Sequence, residues 1–311
     1  MDNRTPILEV KHLCKHFYQG KSVMKAVDDV SFHVYKGETF GLVGESGCGK
    51  TTTGRTIIRL YGATSGEVWF NGNRIDGKLN KEETKAVTSK MQMIFQDPVA
   101  SLNPRMTVEE IISEGAKINK IFATEEELKA NVHKMLELVG LTAEHATRYP
   151  REFSGGQRQR ICIARALITK PDLVIADEPI SALDVSIQAQ VLNLMNKLRK
   201  ELGLTLLFIA HDLSVVKYFS ERIAVMNRGR IVEMASSDLL YDNPVHPYTK
   251  SLLSDIPIPN PLLEKKRERF DYDPSIHQYD EQNQPKMIEI EPGHLVSMSD
   301  REYAAYLGAK K

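Results

Sequence analysis

The stretch GESGCGKTTTG, residues 44–54, sets Gly44, Gly47 and Gly49 within six positions and follows them with Lys50, Thr51 and Thr52. A loop with so little side chain can take positive φ and bring its amides close against another group. Gly44, Gly49, Lys50 and Thr51 fit GxxxxGK[ST], after a short apolar run and before a helical pattern, which is the context that makes this a phosphate loop. In such a loop the backbone amides around Ser46, Gly47 and Cys48 and the helix N-terminus at Thr51 and Thr52 surround phosphate oxygens. Lys50 then reaches the β and γ phosphates, and the Thr51 hydroxyl binds Mg²⁺. The expected ligand is a nucleoside triphosphate with Mg²⁺. Cys48, inside the loop, is read as reactive and non-catalytic, because a helix N-terminus lowers a thiol pKa.

A second group of residues completes that chemistry. In LVIADEP an apolar run ends in Asp177, suited to holding Mg²⁺ through water, and Glu178 follows, suited to polarising an attacking water. An Asp-Glu pair at a strand end is by itself more often a helix cap or solvated turn; joined to the loop at 44–51 it reads as a catalytic pair. In FSGGQRQR, Ser154 is a helix N-cap followed by the bare amides of Gly155 and Gly156 and by Gln157, and such an N-cap is itself an anion site.

These residues need a scaffold. ILEV (7–10), TFGLVG (39–44), GEVWFNG (66–72) and MQMIF (91–95) read as strands. Threonine with glutamate three residues on (Thr107 and Glu110, Thr124 and Glu127) marks two capping boxes in a helical insert from about 100 to 155. DLVIAD (172–177) and LTLLFIAH (204–211) are strands flanking a helix with Ile187, Val191, Leu194 and Leu198 on one face. Fully apolar strands around a helix imply a parallel sheet covered on both sides. RIAVMNRGRIVEMA reads as a hairpin turning at 227–229. Beyond it the proline-punctuated runs NPVHPY and DIPIPNPLL introduce residues 255–311, read as an extended, loosely structured extension.

Composition excludes several classes. With 41 basic and 41 acidic residues the chain has no bulk attraction for nucleic acid, whose phosphate backbone calls for clustered cations. Cys14, Cys48 and Cys162 form no disulfide or metal-knuckle spacing, which suits a reducing compartment. No apolar run nears the roughly 18 residues of a membrane span, and no signal-peptide core is present. His12 and His16 have i, i+4 spacing but lie on a strand-like run, so they are not read as a metal site. EKKRER (264–269) mixes signs and reads as a solvated face.

With SGGQ intact after a phosphate loop, the sequence resembles the ATP-binding subunits of ABC transporters, whose signature is LSGGQ; Phe153 stands at the leucine position and keeps it apolar. The resemblance covers roughly residues 7–270. NPVHPYTKSLL and DEPISALDVSIQAQVLNL are similar to the oligopeptide and dipeptide permease branch. What the resemblance implies is an α/β fold: a P-loop NTPase core with a mostly parallel central sheet, an N-terminal antiparallel β subdomain and a helical subdomain at about 97–160. These make up an ATPase domain at 1–240, followed by a C-terminal permease-type extension at 241–311.

The resemblance also assigns roles. Two such subunits pair head to tail, so the loop of one and Ser154, Gly155, Gly156 and Gln157 of the other clamp one ATP. Gln96 contacts Mg²⁺ and water and links to the membrane partner, Asp184 in SALD belongs to the segment crossing between the two sites, and His211 contacts the γ-phosphate. Phe17 stacks on adenine, with the adjacent Tyr18 as the alternative. The implied function is ATP hydrolysis energising an importer of oligopeptides or dipeptides. Its partners are a homologous ATPase subunit, two integral permease subunits and, indirectly, an external binding protein, and its place is the cytoplasmic membrane face. The alternatives are a regulatory subunit whose partner hydrolyses ATP, an importer of another substrate, and an ABC ATPase acting on DNA or ribosomes. Some relatives carry an iron-sulfur centre near the C-terminus; no cysteine follows Cys162, so no cluster is expected.

Overall fold

A computed structural model describes residues 5–257, 264, 267 and 269–309. The stretch 258–263, part of DIPIPNPLL, and residues 265, 266 and 268 of EKKRER lie outside the described residues.

The chain opens with β1 (Pro6–Gln19) and β2 (Ser22–Tyr35), joined through Gly20 at φ 60, followed by β3 (Thr39–Val43), α1 (Lys50–Ile57), β4 (Ser65–Phe70) and β5 (Asn73–Arg74). Next come α2 (Lys81–Lys90), β6 (Met91–Ile94), α3 (Pro98–Ser101), α4 (Val108–Asn119), α5 (Glu125–Leu138) and α6 (Gly155–Leu167). The second half runs β7 (Leu173–Asp177), α7 (Val185–Leu202), β8 (Thr205–Ala210), α8 (Leu213–Lys217), β9 (Arg222–Asn227) and β10 (Arg230–Ser236). It ends with α9 (Ser237–Asp242), α10 (Pro247–Ser254), β11 (Lys286–Glu291), β12 (His294–Met298) and α11 (Asp300–Ala309).

Two sheets form, a four-stranded one in the order β2-β1-β4-β5 and an eight-stranded one in the order β11-β12-β10-β9-β3-β8-β7-β6. Strands β6, β7, β8, β3 and β9 pair in parallel, whereas β1, β2, β4 and β5 pair antiparallel. Every residue of β3, β7 and β8 is buried, as a sheet covered on both faces requires. The two faces separate by the period of the strand. Leu206, Phe208 and Ala210 of β8 pack with Ile111, Leu136, Ile161 and Val191 of the helical half, while Leu207 and Ile209 pack with Leu8, Val30 and Val68 of the antiparallel sheet.

Both expected helix starts form, with one difference. Thr107 and Glu110 close a reciprocal box, Thr107 N donating to Glu110 Oε2 (2.7 Å) and Glu110 N to Thr107 Oγ1 (3.3 Å). At α5 only half of the box exists, because Glu127 Oε2 accepts from Ala123 N instead of Thr124 N.

The reading of residues 255–311 as loosely structured is corrected. Strands β11 and β12 continue the central sheet beyond β10, and α11 follows them. The reason is a buried polar anchor: Glu233 of β10 and His294 of β12 are both fully buried, 2.7 Å apart. Glu233 also accepts from the backbone N–H groups of Val245 (2.8 Å) and His246 (3.0 Å), so one carboxylate ties strand, edge hairpin and the HPY turn together. Strand β2 and helix α2 are elements the sequence reading did not contain.

His246 caps α10, its Nδ1 accepting from Tyr248 N at 3.1 Å. Burial, then the neighbouring His277, pushes its pKa down to about 3 from an ordinary 6.5. The unfolded chain therefore takes up this proton near pH 6.5 and the folded chain only near 3. Stability falls as pH drops through that window, by up to about 1.4 kcal/mol per unit. His246→Asn keeps an acceptor for Tyr248 N and removes the titration, so its urea-unfolding free energy is expected to vary less steeply between pH 6.5 and 4.5 than the parent's; equal slopes would refute the assignment.

Candidate nucleotide site

The parallel strands bring the chemistry together at their C-terminal ends. The glycine loop leaves β3, Gln96 follows β6, Asp177 closes β7 with Glu178 after it, and His211 follows β8. A crevice beyond the carboxyl ends of parallel strands is where open α/β sheets bind ligands.

The loop's path is fixed by close backbone approach. A Cβ on Gly44 (φ 152) would stand 2.1 Å from the Met226 carbonyl oxygen, and one on Gly49 (φ 111) 2.2 Å from that of Ala26. Neither neighbour is a side chain that can swing aside. Cys48 O accepts from Gly229 N at 2.8 Å, which ties the loop to the β9–β10 turn. The loop floors a cavity of about 470 Å³ whose walls include Ala26, Ser46, Gly47, Lys50, Thr52 and Glu178.

Lys50 is 3% exposed, and its Nζ donates to the carbonyls of Gly44 (2.8 Å) and Glu45 (2.9 Å) with Glu178 Oε1 3.9 Å away. Thr51 Oγ1 donates to Asp177 Oδ1 at 2.8 Å, while Asp177 Oδ2 is buried and has no hydrogen-bond partner. Burial raises the Asp177 carboxyl pKa, against the opposing effect of the Thr51 hydrogen bond. An orphaned carboxylate oxygen beside a hydroxyl suits a hard cation that takes oxygen ligands, so these residues fit Mg²⁺. Burial likewise raises the Cys48 thiol, opposite to the lowering expected from the helix N-terminus.

Glu178 is set by its backbone. At φ 45 it occupies the left-handed region, held by donation from its N–H to Ile209 O (2.9 Å) and by Ser181 N (3.2 Å) and Oγ (3.1 Å) donating to its carbonyl. Such a conformation in a residue with a Cβ is strained and persists where the surroundings over-determine it. Gln96 Nε2 donates to Glu178 Oε2 at 3.0 Å, and His211 Nδ1 lies 3.2 Å from the same oxygen. Lys50, Gln96, Glu178 and His211 thus form one cluster, and Thr51 and Asp177 lie at its edge.

The signature residues stand apart. Ser154 caps α6, accepting from Gln157 N (3.3 Å) and donating its own N–H to Gln157 Oε1 (3.0 Å). Gly156 packs against α7, where a Cβ would lie 2.5 Å from Ile187 Cγ2. Residues 154–157 are absent from the walls of the loop cavity, and Asp184, exposed at the start of α7, makes no capping bond. Phe17 sits opposite Met24, itself a wall residue, and meets Tyr61 edge-on at 5.6 Å; Tyr18, next along the strand, is 68% exposed and points to the other face.

Sequence reasoning missed Met24, Lys25 and Ala26, because β2 was not read, and Arg228 beside Gly229, whose turn was read without its place on the cavity wall. It also missed Tyr248, whose hydroxyl accepts from Glu45 N at 3.1 Å. Of the paired histidines, His12 bonds Asp29 at the surface, and His16 turns toward Cys14 and Asp28. Arg230 (2.6 and 2.9 Å) and Lys25 (3.6 Å) already neutralise Asp28 there.

A glycine loop between a buried strand and a helix, facing an Asp-Glu pair at the end of a parallel strand one place removed in the same sheet, defines a P-loop nucleotide-binding protein. A sequence model described as ABC transporter matches residues 27–181, and one for the oligopeptide/dipeptide transporter C-terminal region matches 232–282. The chain is 61% identical over 300 residues to the oligopeptide transport ATP-binding protein OppF of Bacillus subtilis, covering 96% of this chain and 98% of that one. It is 56% identical over 300 residues to the oligopeptide transport ATP-binding protein AmiF of Streptococcus pneumoniae, covering 96% and 97%. A solved dimeric post-hydrolysis structure of the ATP-binding cassette MJ0796, bound to ADP and Pi, matches with a TM-score of 0.68 at 29% identity, over 74% of this chain and 98% of that one. The chain belongs to the ABC transporter family, as one of its ATP-hydrolysing subunits.

Removing the buried ammonium tests the loop directly. Lys50→Ala is expected to weaken Mg-ATP binding by tenfold or more, since a hydrogen bond from a charged group contributes about 1.5–3 kcal/mol; calorimetric titration showing parent-like affinity would contradict the assignment.

Proposed function

We propose that the chain is an ATP-hydrolysing subunit of an importer of oligopeptides, in which Glu178 positions water for in-line attack on the γ-phosphate. The observation that carries this reading is the convergence of Gln96, His211 and Lys50 on the Glu178 carboxylate. In this assignment Lys50 and the amides of Gly44, Ser46, Gly47, Cys48, Gly49, Thr51 and Thr52 hold the phosphates, and His211 faces the γ-phosphate. Phe17 stacks on adenine, which its position opposite Met24 supports. Thr51, Asp177 and Gln96 hold Mg²⁺, which neutralises charge on the phosphates.

Ser154, Gly155, Gly156, Gln157 and Asp184 serve the site of a second, homologous ATPase subunit, and that subunit's equivalents complete this one. Their distance from the chain's own loop cavity and their helix N-terminal amides support this reading. No described helix is long and apolar enough to cross a membrane. The chain acts peripherally at the cytoplasmic face, bound to two permease subunits through the region near Gln96 and α3–α5. Oligopeptide as the cargo follows the printed names of OppF and AmiF and the match at 232–282, the cargo being selected by the permeases and an external binding protein.

Glu178→Gln in the assembled complex is expected to keep ATP binding and to lower turnover by about 10²-fold to 10⁴-fold, the range for losing a general base. Unchanged turnover would reject the role. In the same reconstituted vesicles, ATP-driven uptake of a labelled oligopeptide supports the cargo, and its failure with active ATPase would reject the cargo alone.

A further inference from the structure

The C-terminal extension reaches the phosphate loop through a hydrogen bond at Tyr248. Tyr248, second residue of α10 and 2% exposed, places its hydroxyl oxygen 3.1 Å from Glu45 N, where it accepts that hydrogen bond. The carbonyl of the same Glu45 accepts from Lys50 Nζ (2.9 Å) and from Cys48 N (3.3 Å). Glu45 is therefore gripped on its amide side by the extension, and on its carbonyl side it sets the lysine and the turn.

Tyr248 is in turn held firmly. Its ring meets that of Tyr272 at 5.3 Å and 63°, a favourable edge-to-face geometry. The Tyr272 hydroxyl lies 3.0 Å from His277 Nε2, and His277 Nδ1 lies 2.5 Å from Glu302 Oε1 on α11. With Nδ1–H donating to the carboxylate, Nε2 is left to accept from Tyr272. Glu302 Oε2 takes the N–H (2.7 Å) and Oγ (3.0 Å) of Ser299, which closes the chain of contacts. The backbone side is fixed as well, because His246 caps the helix and Glu233 holds His246 N. Burial, with the Glu45 charge adding to it, raises the Tyr248 phenol above its ordinary value, so it stays protonated.

We propose that Tyr248 is a positioning residue for nucleotide binding: the extension, through this one hydroxyl, holds Glu45 and hence Lys50 in the geometry that receives the phosphates. The inference rests on the nucleotide reading of the loop and goes beyond it by giving the extension a part in the site. A loop held before ligand arrives loses less freedom on binding. Removing the hydroxyl takes away the acceptor of Glu45 N, and the loop must re-order each time nucleotide enters. Because that ordering is needed for substrate and transition state alike, the effect falls on KM and leaves kcat unchanged.

The test compares four full-length chains: parent, Tyr248→Phe, Tyr272→Phe and Lys50→Ala. Mg-ATP affinity is read by calorimetry, thermal midpoint by a melting scan, amide exchange across residues 44–50 by mass spectrometry, and kcat and KM in the assembled complex. Tyr248→Phe is expected to keep its melting midpoint, to exchange faster in the loop and to bind ATP roughly threefold to tenfold more weakly, the span of one neutral hydrogen bond. Tyr272→Phe keeps the ring that packs on Tyr248 and leaves the Tyr248 hydroxyl in place, losing only the bond to His277, and is expected to bind ATP as the parent does. Parent-like affinity and exchange in Tyr248→Phe, with Lys50→Ala weakened, would overturn this inference and leave the loop reading intact. Equal weakening in both tyrosine variants, tracking a lowered melting midpoint, would overturn it in favour of general loosening. Parent-like binding by Lys50→Ala would overturn both readings together.

Discussion

The organising constraint is the approach of a bare backbone to the ends of its own sheet. Gly44 and Gly49 pass so close to the carbonyls of Met226 and Ala26 that no side chain fits at either position. Only along that path do the loop amides and the first turn of α1 open onto one cavity, with Lys50 folded under them and Thr51 against Asp177. The parallel sheet exists, in functional terms, to hold this geometry. Five strands buried on both faces bring the loop, Gln96, Asp177, Glu178 and His211 to the same edge.

Local strain and buried charge sit together at that edge. Glu178 is held in a left-handed backbone conformation, and Asp177 keeps one oxygen buried and unpartnered. Both are unfavourable for folding alone. In the proposed assignment the orphaned Asp177 oxygen would gain a cation and Lys50 a phosphate in place of loop carbonyls, while the Glu178 conformation stays held by its own hydrogen bonds. Burial in a densely packed surround keeps these groups set in advance of the reaction.

Much of this was legible in the sequence because a few residue types carry unmistakable geometry. Gly44, Gly49, Lys50 and Thr51 identify the loop, the apolar runs ending at Asp177 and His211 identify strand ends, and Ser154 identifies a helix start. The antiparallel wall was less legible: β2 mixes exposed and buried residues along a long twisted ribbon whose pairing to β1 is broken by several register shifts, so no clean alternation marks it. The extension was misread for a different reason. Its docking depends on Glu233 and His294, a polar pair that periodicity arguments place outside a core, and on Tyr248 meeting Glu45 across 203 positions of sequence. Contacts of that kind have no local signature.

The wider account depends on a site that one copy leaves incomplete, since Ser154 and its glycines stand off the chain's own cavity. The most direct measurement is turnover per subunit, comparing the purified chain alone with the chain reconstituted with its partner ATPase and membrane subunits, each with and without Ser154→Arg. The account predicts that the chain alone binds ATP with little turnover, that reconstitution restores turnover, and that Ser154→Arg removes the share of the gain that comes from the partner's site without weakening binding to this chain's own loop. Full turnover by the isolated chain at dilution, indifferent to Ser154→Arg, would contradict it.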